Sequence, residues 1–473
     1  MTSAPSKEKA KFTSGNTMRH VVVMTTTSSV GLVSVFFVDA LNLFYISMLG
    51  QQELAAAIGY ASTLLFFSIG ISLGISIAAS AMVAKALGAE DIDRARSLTA
   101  SCLIYLTIAS LCLVMFLLPA RFWLLALLGA EGETLTKAAH FLLIVIPSIP
   151  LLSLGMCLGA LLRSKGDARR SMFVTLGGAI AVFILDPIFI FALDLGLTGA
   201  AIATVLSRFV LVIIGLHGVH VVHRMIGKPR ADIVWKQLAP FLKIALPSLA
   251  TTLATPVGNA YVTAAMAEFG DDAVAGWAIV GRLIPVAFGV VFALSGAIGP
   301  ILAQNYGAKS YERVMQGMRD ALLFGIVFCC VVWLLLALAR NQIVWLFGAE
   351  DAAADMIVVF CLFVAGSFIF AGAMFISNAA FNNLGRPIYA TIFNWGRATL
   401  GTFPFVYWGK AWGAEGVLIG WGLGAIVFGV LSTIAALAMI KRLPNRSEKS
   451  KGEPQSSAPP TTHSPFTTGK GAT

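Results

Sequence analysis

The chain is a succession of long apolar runs separated by short polar connections. A membrane-crossing helix needs about 20 predominantly apolar residues. Twelve stretches satisfy that length: 20–48, 54–84, 98–118, 135–160, 171–194, 197–221, 244–267, 273–303, 316–339, 354–380, 388–408 and 414–440. The pattern predicts an all-α membrane protein. From Lys441 onward the chain is rich in Ser, Pro, Thr, Gly and Lys, the composition of a disordered tail. The N-terminus is polar to Asn16 and the first apolar run is too long for a signal h-region, so no cleavable signal peptide is expected.

Charge adds orientation. Only 12% of the 473 residues are charged and 58% are hydrophobic, against about 25% charged in a soluble domain. The loops after the even-numbered runs carry 16 Lys and Arg, and those after the odd-numbered runs carry 4. By the positive-inside rule the even loops and both basic termini face the cytoplasm. The net charge of +10 is this asymmetry and points to anionic lipid headgroups, not to nucleic acid. The six cysteines all lie in apolar stretches with no metal spacing, and read as small buried residues.

The chain repeats itself at a shift of 219 residues. Ala84, Gly88, Ala89, Asp93 and Arg94 align with Ala303, Gly307, Ala308, Glu312 and Arg313. Leu127, Gly129, Ala130 and Glu131 align with Leu346, Gly348, Ala349 and Glu350, and Gly166 aligns with Gly385. After a two-residue shortening, Pro187, Gly196 and Gly199 align with Pro404, Gly413 and Gly416. Each copy has six runs, so the copies insert with the same orientation, as in the parallel repeats of alternating-access transporters. The expected organisation is a cytoplasmic tail over 1–19, an N-lobe over 20–221 and a linker over 222–243. A C-lobe over 244–440 and a disordered cytoplasmic tail over 441–473 complete it, with a central cleft between the lobes.

The copies differ where chemistry is concerned. Asp39 is the only formally charged residue between Arg19 and Glu53. A carboxylate at mid-membrane costs about 2.5–3.5 kcal/mol on insertion scales and is seldom idle. Asp186 precedes Pro187 in the fifth run. At a shift of 220, Asp39 stands opposite Asn259; Asp186 stands opposite Phe403. Two mid-span acids in one copy and none in the other mark Asp39 and Asp186 as a cation-coupling site. Thr204 in the sixth run either adds a hydroxyl to it or bonds its own helix. Arg208 either snorkels or pairs with an acid. Arg282 and Arg397, in the acid-free copy near Asn394 and Trp395, either balance the acids or meet an anionic substrate group. Phe36, Phe37, Tyr45, Asn259, Tyr261, Trp277, Phe288, Phe292 and Trp395 complete the candidate substrate cavity, whose aromatic members suit flat or cationic compounds.

These residues resemble the multidrug and toxic compound extrusion (MATE) family over roughly 15–440. The likeness rests on Val38-Asp39 before Leu49-Gly50, on Ala84 to Ala95, on Leu161 to Asp167 and on Leu185-Asp186-Pro187 within twelve spans. The resemblance implies export of organic cations or amphiphiles across the cytoplasmic (inner) membrane against inward protons or sodium. The acids with Thr204 are similar to the DinF-like branch, whose coupling site is in the N-lobe. Val182 stands where that branch has an Asn, which favours protons over sodium. The Thr25–Ser29 run replaces its early proline.

The expected protein is thus a secondary antiporter, monomeric, with no cofactor, no resident metal and no enzymatic activity. In its cycle Asp39 and Asp186 titrate as a coupled pair. The rival within the wider superfamily is a flippase for lipid-linked sugars or another polar lipid, with Arg282 and Arg397 on its pyrophosphate. No paired-His metal motif, Ser/His/Asp set or phosphate-cradling loop supports an enzyme.

Overall fold

The computed structural model describes residues 10–47 and 52–444. The first half comprises α1 (Thr17–Ser47), α2 (Gln52–Gly88), α3 (Ile92–Leu127), α4 (Gly132–Val145), α5 (Ile149–Lys165), α6 (Ala168–Pro187) and α7 (Gly196–Leu216). The second comprises α8 (Ala231–Ala267), α9 (Asp271–Gly307), α10 (Tyr311–Phe347), α11 (Asp351–Leu362), α12 (Phe368–Asn383), α13 (Pro387–Ala398), α14 (Phe403–Gly409) and α15 (Gly413–Lys441). Among the described residues, eleven helical stretches are long and apolar enough to cross a bilayer. The last of them, Pro387–Lys441, runs for 55 residues and is interrupted between α13 and α14 and again before α15. It supplies two crossings, so the twelve spans stand.

Local chemistry sets the helix ends. The Asn16 carboxamide oxygen accepts the Arg19 amide at 3.1 Å and starts α1. Asp91 and Asp167 cap α3 and α6 through the amides of Arg94 and Arg170. Gly166 ends α5 and Gly348 ends α10 in the left-handed conformation.

The repeat is written into the backbone as well as into the residues. At a shift of 219, Glu90 and Lys309 have φ 59° and 57°, and Gly166 and Gly385 have 87° and 84°. Gly132 pairs in the same way with Asp351, at 57° and 44°. The fourth and tenth spans break at equivalent places for different reasons. Pro147 removes an amide hydrogen between α4 and α5. Between α11 and α12 there is no proline, and Gly366 lies against the Trp333 ring. Each break frees carbonyls that a side chain from another helix takes. Arg208 donates to Val145 O at 3.1 Å and to Ser148 Oγ at 2.7 Å, and Trp333 Nε1 donates to Leu362 O at 2.9 Å.

Reciprocal close contacts join the halves. A Cβ on Gly70 (α2) would meet Thr252 Oγ1 (α8) at 3.3 Å, and one on the equivalent Gly289 (α9) would meet Val33 (α1) at 3.3 Å. Val33 and Thr252 are themselves 219 apart. In that register Asp39 stands opposite Gly258, with Asn259 next to it; neither is an acid.

Two boundaries differ from the sequence expectation. The linker expected over 222–243 shrinks to His223–Arg230, because α8 begins at Ala231, with Asp232 in its first turn and Pro240 accommodated within it. Within the N-terminal tail, Lys11–Thr13 form a 3-10 turn and α1 begins already at Thr17. Residues 1–9, residues 48–51 with Leu49-Gly50, and residues 445–473 lie outside the described residues.

Candidate cation-coupling site

Asp186 lies in the last turn of α6 and is 1% exposed. Its neighbours Phe183 and Ile184 are exposed, so this turn of α6 presents apolar residues outward while the acid is enclosed. Pro187 leaves the Phe183 carbonyl without its helical donor, and the chain continues as a π turn over Ile188–Ala192. The Asp186 Oδ2 atom accepts a hydrogen bond from Asn42 Nδ2 on α1 at 2.8 Å. Oδ1 is buried with no partner among the described residues.

The contact exists because α1 and α6 approach closely. A Cβ on Gly31 would lie 2.0 Å from Thr175 Oγ1, so any larger residue there would force the Thr175 side chain to move. Further along the same seam, Tyr45 meets Phe191 edge to face with ring centres 6.0 Å apart. Asp39 is on α1, and its side chain lies outside the described residues. Thr204 donates to Ala200 O of its own helix at 2.9 Å. Asn42 was missed by the sequence reading. Its signal was the spacing of three from Asp39, which puts both residues on one face of α1.

The arginines separate into three situations. Arg208 does not snorkel and pairs with no acid among the described residues: 6% exposed, it caps the α4 end, where converging carbonyls favour a cation. Arg282 is exposed on α9. Arg397 is 8% exposed on α13; its Nη2 reaches Thr255 Oγ1 at 3.4 Å, and its Nε has no partner among the described residues. No salt bridge among the described residues joins these arginines to an acid, so they do not balance Asp186.

The remaining cavity candidates are dispersed. Trp277 and Phe288 are core residues of the second half. Trp277 bonds Thr263 Oγ1 at 3.0 Å and packs on Trp421, while Phe288 is wholly buried and stacked on Phe368 at 4.1 Å. Tyr261 packs on Phe403 at 4.2 Å, Phe292 on Phe375 at 5.4 Å, and Trp395 Nε1 donates to Ala250 O at 2.9 Å. Phe36 and Asn259 are half-buried, and Phe37 is exposed.

Known proteins share both this sequence and this architecture. The MatE family model matches residues 27–188 and again 247–408, one match in each half. The FAD transporter of Shewanella oneidensis is 28% identical over 427 residues, covering 87% of this chain and 92% of that protein. The multidrug export protein MepA of Staphylococcus aureus is 26% identical over 371 residues, covering 76% and 80%. A crystal structure of a mutant of the Vibrio cholerae MATE transporter VcmN superposes with a TM-score of 0.86 at 25% identity, covering 90% of this chain and 97% of that one. With a family match in each of two equivalent halves, and transporters rather than enzymes among its relatives, this chain is a multi-pass membrane transporter of the MATE family.

Proposed function

We propose that the protein is a proton-coupled antiporter that exports organic cations or amphiphiles across the cytoplasmic membrane, with both termini and the even, Lys- and Arg-rich loops in the cytoplasm. One observation carries the coupling. Asp186 is enclosed in a span, holds one hydrogen bond from Asn42, and has no counter-cation among the described residues. Such a carboxyl group is stabilised by taking up a cation, and a proton is the one that needs no further ligands. Proton uptake from outside removes the charge that holds a cationic substrate. Return to the inside, where the proton leaves, restores it. An ion drives the cycle only through its different affinity for the two states. Asp39, one turn before Asn42, is the second member of the pair in this reading. Thr204 keeps its own helical bond and gives Asp186 no hydroxyl among the described residues. The MepA relative supports the multidrug substrate class.

The test is dye efflux from energised inverted vesicles with pH and sodium gradients imposed separately. The pH gradient alone is expected to drive efflux in wild type, and Asp186→Asn and Asp39→Asn to abolish it at unchanged protein level. Efflux at the wild-type rate in either variant sinks the coupling role.

A second reading concerns substrate charge. Arg397 is a buried guanidinium whose Nε has no partner among the described residues, in the half without counterparts of Asp39 and Asp186, and one relative is described as an FAD transporter. A flat, anionic, phosphate-bearing aromatic would satisfy that group. Competition of dye efflux by a flavin dinucleotide, lost in Arg397→Gln, would favour this substrate class over cations.

A further inference from the structure

On the face that carries the basic loops, the ends of α2 and α9 meet in a contact that the repeat makes nearly symmetric. A Cβ on Gly88 would lie 1.9 Å from the Gln304 carbonyl, and one on Gly307 would lie 2.1 Å from the Lys85 carbonyl. Lys85 and Gln304 are repeat equivalents, as are Gly88 and Gly307. The two lobes therefore touch backbone to backbone at this face.

One element breaks the symmetry. The N-terminal turn Lys11–Thr13 belongs to neither repeat, yet it is bonded to both halves. Lys11 Nζ donates to Gly166 O, just after α5, at 2.7 Å. The Phe12 amide donates to Gln304 Oε1 at 2.9 Å, and Gln304 Nε2 donates onward to Ser164 O of α5 at 2.6 Å. The Phe12 carbonyl accepts from Asn305 Nδ2 and from Arg313 Nη2, each at 3.1 Å. The Phe12 ring is fully buried in a core cluster that includes Ala168 of the first half and Ile298 and Ile301 of α9. Gln304, Asn305 and Ser164 are each at most 1% exposed, so water does not compete for these bonds. Cavities of about 490 and 310 Å³ flank the turn, the first lined by Lys11, Asp167, Arg170 and Gln304 and the second by Phe12, His20 and Met24.

We propose that the Lys11–Thr13 turn is a clasp that holds the basic face shut, and that its release accompanies opening of the cleft on that side. The lobes cannot part here without breaking the Gln304–Ser164 bond and one end of the turn. Tethered to α1 through Asn16, the turn can detach and return without diffusing away. The inference rests on the alternating-access reading but not on the substrate or the coupling ion.

Hydrogen–deuterium exchange of the full-length protein in lipid nanodiscs tests it with no transport step. Phe12→Ala removes the anchor, and Gln304→Met keeps the volume while removing both bonds. Amides over 163–170 and 304–312 are expected to exchange about tenfold faster in each single variant, the factor that corresponds to about 1.4 kcal/mol. Amides over 351–383 should not change. Because the two residues act as one unit, the double variant should be no faster than the faster single by more than about twofold. Unchanged exchange in both singles overturns the clasp. So does a uniform rise that includes 351–383, or a double variant whose effect is the product of the singles. A failure of dye efflux with these exchange results intact would count against the proposed function and leave the clasp standing.

Discussion

Asp186 and Phe403 occupy the same place in the two copies, each followed by a proline, and they lead opposite lives. In the first half α6 runs unbroken to Pro187, and the acid is buried against Asn42 of α1. In the second half the helix stops at Ala398, resumes at Phe403, and the aromatic ring packs on Tyr261. Backbone geometry is shared down to left-handed φ values 219 residues apart, while the polar chemistry is not. Duplication kept what the fold needs, namely glycines at turns and breaks in the same spans. It released the buried side chains to diverge, so both span acids belong to one copy, while the other holds a buried arginine with no acid partner among the described residues.

The widest test of this comparison substitutes the equivalent positions. Asp186→Asn is expected to bring gradient-driven transport to background in vesicles, whereas Phe403→Leu should retain it within about twofold, since it trades one apolar contact for another. Equal losses would mean that the two sites are not functionally distinct. Next come Gly88→Ala and Gly307→Ala. Both place a methyl group inside backbone contact distance, so both should destabilise the closed basic face by about 1–3 kcal/mol and to a similar degree, seen as faster local exchange. A difference well beyond that range would break the pseudo-symmetry of the gate.

The two helix breaks supply a third pair. Arg208→Met removes two hydrogen bonds and leaves Val145 O and Ser148 Oγ bonded only to each other, which should cost about 1–3 kcal/mol in thermal unfolding, and Trp333→Phe, which loses one bond, about 0.5–1.5 kcal/mol. The smallest effect concerns the loop cap. Asp167 is pushed up by burial but held below its ordinary carboxylate range by the Arg170 side chain and amide and by His223. A depressed folded pKa contributes stability above the unfolded value of about 4 and loses it as pH falls through the folded value. Asp167→Ala should therefore cost about 1 kcal/mol at neutral pH, as for a lost helix cap. The gap to wild type in thermal unfolding should close as the pH is lowered below about 4. A gap that persists unchanged in acid would assign it to packing.

Spans, repeat and the isolated acid of the fifth span, Asp186, were legible in the residues because each depends on a local quantity. Apolar length sets a span, glycine permits a positive φ, and an isolated charge in hydrocarbon stands out against its neighbours. Asn42 was half legible, through its spacing from Asp39. Arg208 was not. Whether a buried arginine snorkels, pairs or caps depends on which helix end the fold brings beside it, here the α4–α5 break some sixty residues earlier in the chain. The roles of Trp277 and Phe288 were equally hidden, since an aromatic residue in a span carries no mark that separates a cavity wall from a core.

The linear chain by itself determined the class, the twelve crossings, the duplication and the asymmetry of acids, because lipid imposes one-dimensional constraints of length and polarity. Only the tertiary structure decided which hydroxyl, amide or guanidinium meets which carbonyl. It alone placed Asn42 on Asp186 and the Phe12 turn between Gln304 and the rest of the gate. Those pairings span 144 and 292 residues. Hydrogen bonds at that separation are fixed by helix packing, and no local pattern encodes them.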